Sequence, residues 1–179
     1  EKSINAFVAG GQIVYIHSGL IENADNANQV QGVIAHELGH VAGGHVVRTD
    51  GADRATTISL VSLLLGAVAI AAGAGEAGMG VMAAGQQAAL GSYLAYSRVQ
   101  EATADAAGAR YLSAAGISGR GSVDFFMTLQ NQEFRYNIPQ DDEQAYGRTH
   151  PLSGDRIRFL RDTYQADAAR DTPTPAALE

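Results

Sequence analysis

The 179-residue chain contains no cysteine, which excludes disulfide bonds and metal sites built on thiolates. Any metal that it binds must therefore use histidine and carboxylate ligands. The chain also lacks a cluster of lysine and arginine, and its net charge of −7 argues against nucleic acid and anionic membrane surfaces as partners. With 46% apolar residues, it is long enough to bury the core of one domain.

One short motif stands out, the HExxH sequence from His36 to His40 with Glu37 beside the first histidine. Apolar residues recur around it at helical spacing and no proline interrupts residues 29–47, so we expect a helix. The four-residue spacing puts both imidazoles on one face of that helix, as in zinc peptidases. The other face is apolar, which predicts a helix buried in the middle of the domain.

A catalytic zinc needs three protein ligands and a position for water, so one further ligand must be found. The metzincin pattern is excluded, because Val46 stands where its third histidine belongs. We expect Glu101 to be the third ligand, since it lies on a predicted helix among small residues that permit close packing. Asp105, one turn later, is placed to accept the free N–H of a ligand histidine.

His45 is a further histidine close to the motif, and we expect it not to bind the metal. On a continuous helix its side chain points away from His36 and His40. Gly43 and Gly44 could end the helix before His45, and that alternative stays open. A structural role at the helix end is the favoured interpretation.

Residues 58–75 carry no charge and reach the minimum length of a membrane span. A single crossing would separate Glu101 from the two histidines, which argues against one. The return arm, residues 79–96, contains glycines and the pair Gln86-Gln87 and is too polar for a convincing second crossing. We therefore expect a soluble Ala/Gly-rich helical pair that forms protein core and lines or covers the active site.

The remaining elements predict an α+β fold that is predominantly α-helical. Two short β-prone runs joined by Gly10-Gly11 form a hairpin, whose second strand carries Gln12, Ile13, Val14 and Tyr15 and is expected at an edge. Later helices begin near Ser122 and Ser153. We expect one domain over residues 1–165, followed by a frayed tail or the start of a linker over residues 166–179.

Taken together, these motifs resemble the HtpX/CaaX-prenyl-protease family of metallopeptidases over about residues 4–161. The likeness is greatest to its soluble bacterial branch, the BepA-type periplasmic proteases. It is carried by four segments: Asn5-Ala6-Phe7 with Gly10-Gly11, HELGH with His45, Tyr96 to Asp105, and Thr149-His150-Pro151 with Arg156-Ile157.

The resemblance implies a gluzincin-like domain with one zinc ion per chain at His36, His40 and Glu101, and with Glu37 as the catalytic base. It also implies a polypeptide substrate bound beside the second hairpin strand. His150 and Arg156 are candidates for the donor that stabilises the oxyanion. Alternatively, His150 is a fourth zinc ligand that keeps the enzyme latent, and Arg156 pairs with a nearby acid.

Two functions remain in view. The first is a zinc-dependent endopeptidase that cleaves misfolded or envelope proteins, and the second is a chaperone-like factor for outer-membrane protein assembly with latent protease activity. The resemblance implies a periplasmic location, a role near the outer-membrane assembly machinery and membrane association at most, without a span. Members of this branch often continue into a TPR domain. The sequence alone is equally compatible with the cytoplasm.

Overall fold

The computed structural model describes residues 2, 4–135, 150, 154–175 and 178, with only the backbone given for residues 131–135. Within these ranges the chain is mostly helical and has one small antiparallel sheet, which confirms the α+β class. Its elements are β1 (Ala6–Ala9), β2 (Ile13–Ile16), α1 (Ser18–Asn23), α2 (Ala27–Gly43), α3 (Asp50–Ala71), α4 (Gly75–Ala114), α5 (Arg120–Arg135) and α6 (Gly154–Gln165).

The chain divides into two compact units, of which the first comprises residues 1–47 and 100–179 and the second residues 48–99. In the first unit, β1 and β2 form the predicted hairpin. Gly10 and Gly11 have φ values of 60° and 89°, the left-handed region in which glycine meets no steric penalty. Across the strands, the rings of Phe7 and Tyr15 stack with centroids 5.1 Å apart.

Helix α2 carries the HExxH motif and is the centre of the first unit. Its N-terminus is capped by Asn26, whose side chain accepts a hydrogen bond from the backbone N–H of Gln29. Glycines let its neighbours approach closely, since a Cβ on Gly39 would lie 2.5 Å from the carbonyl oxygen of Ala104 on α4. On α5, Ser122 makes an equally close approach at Gly32. The buried position predicted for this helix is therefore confirmed.

The hydrophobic core of the first unit fills the space around α2, α5 and α6. Its buried side chains come from the hairpin and from every helix of this unit. They are Ala6, Leu20, Val33, Ala35, Ala109, Leu112, Val123, Phe125, Phe126, Ile157, Leu160 and Tyr164. This core fixes the orientation of the helices that carry the polar site described below.

Beyond α6, the chain folds back onto the connection between α4 and α5. The hydroxyl of Ser118 donates to the carbonyl of Arg170 at 2.7 Å, and Arg120 pairs with Asp171 at 2.7 Å. The ion pair is exposed and contributes little, whereas the hydroxyl bond is partly buried. Part of the segment predicted as a tail or linker thus contacts the domain.

The second unit is an antiparallel pair made of α3 and the first part of α4. Its helices touch through small residues, because a Cβ on Gly66 would lie 2.6 Å from the carbonyl oxygen of Gly78. Ser62 packs against Gly85 in the same way. The large apolar side chains of α3 point outward, with Leu64 66% and Val68 59% exposed.

This exposure corrects the expectation that the pair forms protein core. The buried residues of α3 are Gly51, Ser62 and Gly66. Small residues therefore make the helix contact, and the leucines and valines of α3 face away from it. By length and composition, α3 could also cross a membrane. Composition alone does not reveal which side of an apolar helix faces its neighbour, and this explains the difference.

We predict that replacing Leu64 and Val68 together by glutamine leaves the helical content unchanged and reduces binding of a hydrophobic dye. Both side chains are exposed, so the change in unfolding free energy should stay within about 0.5 kcal/mol per site. The matched variant on the packed face, Gly66→Leu, should destabilise by about 1–3 kcal/mol, because the added atoms would overlap α4. Circular dichroism and thermal unfolding measure both. Loss of helix in the glutamine variant would show that these side chains are packed.

Candidate metal centre

Three separate parts of the first unit bring potential metal ligands together. Helix α2 contributes His36 and His40, α4 contributes Glu101, and the segment before α6 contributes His150. One ligand atom from each of these four residues lies within 4.8 Å of the others. The first three residues are buried and His150 is half-buried.

The donor atoms converge on one small region. The Nε2 atoms of His36 and His40 are 3.1 Å apart, and the two oxygens of Glu101 lie 3.4 Å and 3.2 Å from them. The Nδ1 atom of His150 lies 3.2 Å from Glu101 Oε1 and 3.3 Å from His36 Nε2. Imidazole nitrogens and a carboxylate that face one another in a buried space fit a divalent transition metal.

Asp105 and Arg156 support this cluster from behind. Asp105 Oδ1 lies 2.9 Å from Nδ1 of His36, the ring nitrogen that faces away from the cluster. Arg156 donates to both oxygens of Asp105 at 2.7 Å and 2.8 Å, and its Nη1 lies 2.9 Å from Glu101 Oε2. Such outer contacts fix the orientation of metal ligands. Of the two roles considered for Arg156, this geometry matches pairing with acidic residues.

Glu37 lies beside the cluster and is almost fully buried, with 1% of its surface exposed. Its Oε1 atom is 3.3 Å from Nε2 of His150. Its Oε2 atom has no hydrogen-bond partner in the part of the chain that the structure describes. Burial raises the pKa of this carboxyl above its usual range, as a proton acceptor that works near neutral pH requires.

The two α2 histidines are held in opposite protonation states. Burial lowers the pKa of His40 to about 4, so its imidazole is neutral at physiological pH. Burial also opposes charge on His36, but the hydrogen bonds with Asp105 and Glu101 outweigh it and raise the pKa to about 9. A metal at this site would replace the proton that His36 otherwise carries.

Glu101 and Asp105 remain ionised despite their burial. Burial raises the pKa of Glu101, but hydrogen bonds from His150, His36 and His40 lower it well below its usual range. Burial also raises the pKa of Asp105, but the hydrogen bonds that Arg156 donates outweigh burial and lower this pKa. The site therefore presents carboxylates, the form that binds metal or orients a ligand histidine.

His45 lies elsewhere than the helical wheel suggests. Helix α2 ends at Gly43, and Gly44 adopts a left-handed conformation with φ 65°. The His45 ring consequently turns back toward the helix, and its Nδ1 atom lies 2.9 Å from Nδ1 of His40. The expectation that it points away was wrong, and the pair Gly43-Gly44 was the signal that could have revealed this.

The remaining candidate residues belong to the hairpin and to the segment around residue 150. Ile13, Val14 and Tyr15 belong to β2, with Ile13 and Tyr15 exposed, while Gln12 belongs to the turn. Both strands contact α2. Within the described residues β2 pairs only with β1, so one of its edges has no partner strand. Thr149, Pro151 and Ser153 lie outside the described residues.

Comparison with known proteins identifies the family of the chain. A family model described as peptidase family M48 matches residues 1–164. The chain belongs to peptidase family M48. No solved structure matched the chain significantly.

Two relatives illustrate the range of this family. The chain is 31% identical over 162 residues to a putative beta-barrel assembly-enhancing protease of Vibrio cholerae, covering 90% of this chain and 33% of that protein. It is 32% identical over 173 residues to the metalloprotease LoiP of Escherichia coli, covering 94% of this chain and 62% of that protein. The chain thus spans about a third of the first relative and about three fifths of the second.

We predict that Asp105→Ala weakens metal affinity by about 10- to 100-fold, because the His36 ring loses the acceptor that orients it. Asp105→Asn keeps an oxygen at this position and should lose less. Competition with a chelator measures the affinity, and thermal unfolding of each metal-free variant reports any loss of fold. Asp162→Ala, on the exposed side of α6, is the control. Unchanged affinity in a folded Asp105→Ala protein would contradict a supporting role.

Proposed function

We propose that the protein is a zinc-dependent endopeptidase that cleaves misfolded or envelope proteins. The observation that carries this proposal is the buried cluster of His36, His40 and Glu101 with the Glu37 carboxylate beside it. Two imidazoles and one glutamate are the ligand set of a known class of catalytic zinc sites. Imidazole and carboxylate are both ligands that zinc accepts, and we propose one zinc ion per chain at this cluster.

The chemistry divides between the ion and the side chains. When bound, zinc acts as a Lewis acid that acidifies a water molecule and polarises the substrate carbonyl. Glu37 accepts the water proton at Oε2, the oxygen that has no hydrogen-bond partner among the described residues, and delivers it to the leaving amine. The raised pKa of this carboxyl matches that task. Burial keeps bulk water away from this carboxyl.

We predict that Glu37→Gln abolishes cleavage of an unfolded protein such as casein and leaves bound zinc unchanged. The amide has nearly the same shape but cannot accept the proton, so kcat should fall by about 10² or more. Metal analysis of the purified protein gives the zinc content, and a gel assay gives the cleavage. Glu76→Gln, on α4 within the second unit, serves as the matched control. Full cleavage by the Glu37→Gln protein would refute the base assignment.

His150 is proposed to be a fourth ligand that keeps the site closed until substrate arrives. Its Nδ1 atom lies among the other donors, and its side chain remains 23% exposed. An oxyanion donor is the second role in view, for which the Nε2 atom, now 3.3 Å from Glu37 Oε1, would have to turn toward the substrate carbonyl. Arg156 is a weaker candidate for that donor, because two acids already hold its guanidinium.

His150→Ala separates these roles by the direction of its effect. If His150 closes the site as a ligand, its removal opens a coordination position and proteolysis should rise. Loss of an oxyanion donor would instead lower kcat by about 10² or more at unchanged zinc content. We expect the rise, measured as the initial rate of casein cleavage alongside zinc analysis. A large fall in kcat would assign His150 to the oxyanion.

Substrate is proposed to bind as an extended strand beside β2. A polypeptide that pairs with the backbone at the open edge needs no particular sequence, which suits an enzyme that removes misfolded proteins. The alternation of exposed Ile13 and Tyr15 offers apolar contacts for its side chains. Gln12 and Val14 complete the proposed contact segment.

The cellular setting is proposed from the relatives. Their names include beta-barrel assembly-enhancing proteases, which supports a periplasmic location and a role near the outer-membrane assembly machinery. A chaperone-like assembly factor with latent protease activity is the second candidate, favoured by the position of His150 within the cluster. We propose residues 1–165 as the peptidase domain, with membrane association at most.

A further inference from the structure

We propose that His45 is a positioning residue that fixes the tautomer of His40, so that the Nε2 lone pair of His40 faces the metal. The inference rests on the proposed metal site. It concerns a chain of hydrogen bonds that runs from Gln100 through Thr103 and His45 to His40. His45 is not one of the four clustered residues, and its proposed effect on the metal is transmitted through its contact with His40.

Local structure places the His45 ring against the end of α2. The left-handed Gly44 reverses the chain, and the backbone N–H of His45 then donates to the carbonyl of His40 at 3.1 Å. The ring occupies space that a side chain at position 43 would need, since a Cβ on Gly43 would lie 2.4 Å from its Nε2 atom. A side chain at position 43 would displace the His45 ring, and Gly44 supplies the left-handed turn that brings the ring back to the helix.

With a neutral His45 ring, one assignment of the protons makes all three contacts hydrogen bonds. The Thr103 hydroxyl has one proton, which it donates to the carbonyl of Gln100 at 2.9 Å. It must then accept from Nε2 of His45, 3.1 Å away. A neutral ring protonated at Nε2 carries a lone pair at Nδ1, which accepts from Nδ1 of His40 at 2.9 Å. The only lone pair left on His40 is at Nε2.

The two ligand histidines are thus supported by different partners at equal distance. Asp105 lies 2.9 Å from Nδ1 of His36, and His45 lies 2.9 Å from Nδ1 of His40. Glu37, Glu101 and Asp105 already place three carboxyl groups in this interior. An imidazole at position 45 orients His40 without adding a fourth carboxyl group beside this interior.

Three substitutions at position 45 test the inference through zinc affinity. Asparagine places an acceptor oxygen near the position of the histidine Nδ1 atom, whereas glutamine places its amide near Nε2. We expect His45→Ala and His45→Gln to weaken zinc binding by about 10- to 100-fold and His45→Asn to retain most of it. Chelator competition gives the dissociation constants. Equal affinities in the alanine and wild-type proteins, or equal losses in the asparagine and alanine proteins, would overturn the proposal.

Ring-nitrogen NMR of the histidine-labelled protein supplies a spectroscopic readout that general damage to the fold would not mimic. Wild-type protein should show His45 protonated at Nε2 and His40 at Nδ1, and a His45 proton at Nδ1 would refute the assignment. Thr103→Val should perturb these signals. Thr128→Val, which removes a comparable hydroxyl-to-carbonyl bond on α5, should leave them unchanged.

The metal-free protein can be measured too, because the contact between the two rings does not need the ion. If wild-type protein bound no zinc but showed these tautomers, the proposed function would fail while the hydrogen-bond chain stood. If it bound zinc with other tautomers, only the role of His45 would fail.

Discussion

The close approach of α2 and α4 is the constraint on which the metal site depends. Gly39 lets the α4 backbone at Ala104 come into contact with α2, and Gly108 does the same for the α2 backbone at Ala35. Glu101 lies one turn before this contact and so reaches the two histidines. A Cβ at Gly39 would lie 2.5 Å from the Ala104 carbonyl oxygen and would force the helices apart, whereas at Gly108 it would lie 3.1 Å from the Ala35 backbone and require only a small shift.

The second condition is that the buried carboxylates must be paired with positive charge. The interior holds the carboxyl groups of Glu37, Glu101 and Asp105, and charges in such a place are costly unless they are paired. Arg156 pairs with two of them, and its guanidinium also lies 5.3 Å from the ring centre of Phe126. A divalent cation among the histidines and Glu101 would supply the remaining positive charge. With an ion bound, arginine and metal would together neutralise the carboxylates of this polar interior.

The sequence reveals those parts of the site that depend on short-range periodicity. The spacing of His36 and His40 fixes a shared helical face, and Glu101 with Asp105 follows from the same rule on a second helix. Parts that depend on distant contacts or on a chain reversal were harder to predict. The pairing of Arg156 with Asp105 joins residues far apart in the chain, and the place of His45 depends on the left-handed Gly44. The outward apolar surface of α3 was missed because periodicity does not say which face meets a neighbour.

The residues of the proposed metal site and the apolar helical pair belong to different compact units of the chain. His40 and Glu101 flank residues 48–99 in sequence, yet both belong to the first unit. Within that unit, Gln100 donates to the carbonyl of His45 at 3.5 Å, so the residues on either side of the inserted segment remain in contact. At the base of the second unit, the Tyr96 hydroxyl donates to the carbonyl of Arg48 at 3.4 Å. In each unit, a hydrogen bond thus joins the two chain segments that lead to the other unit.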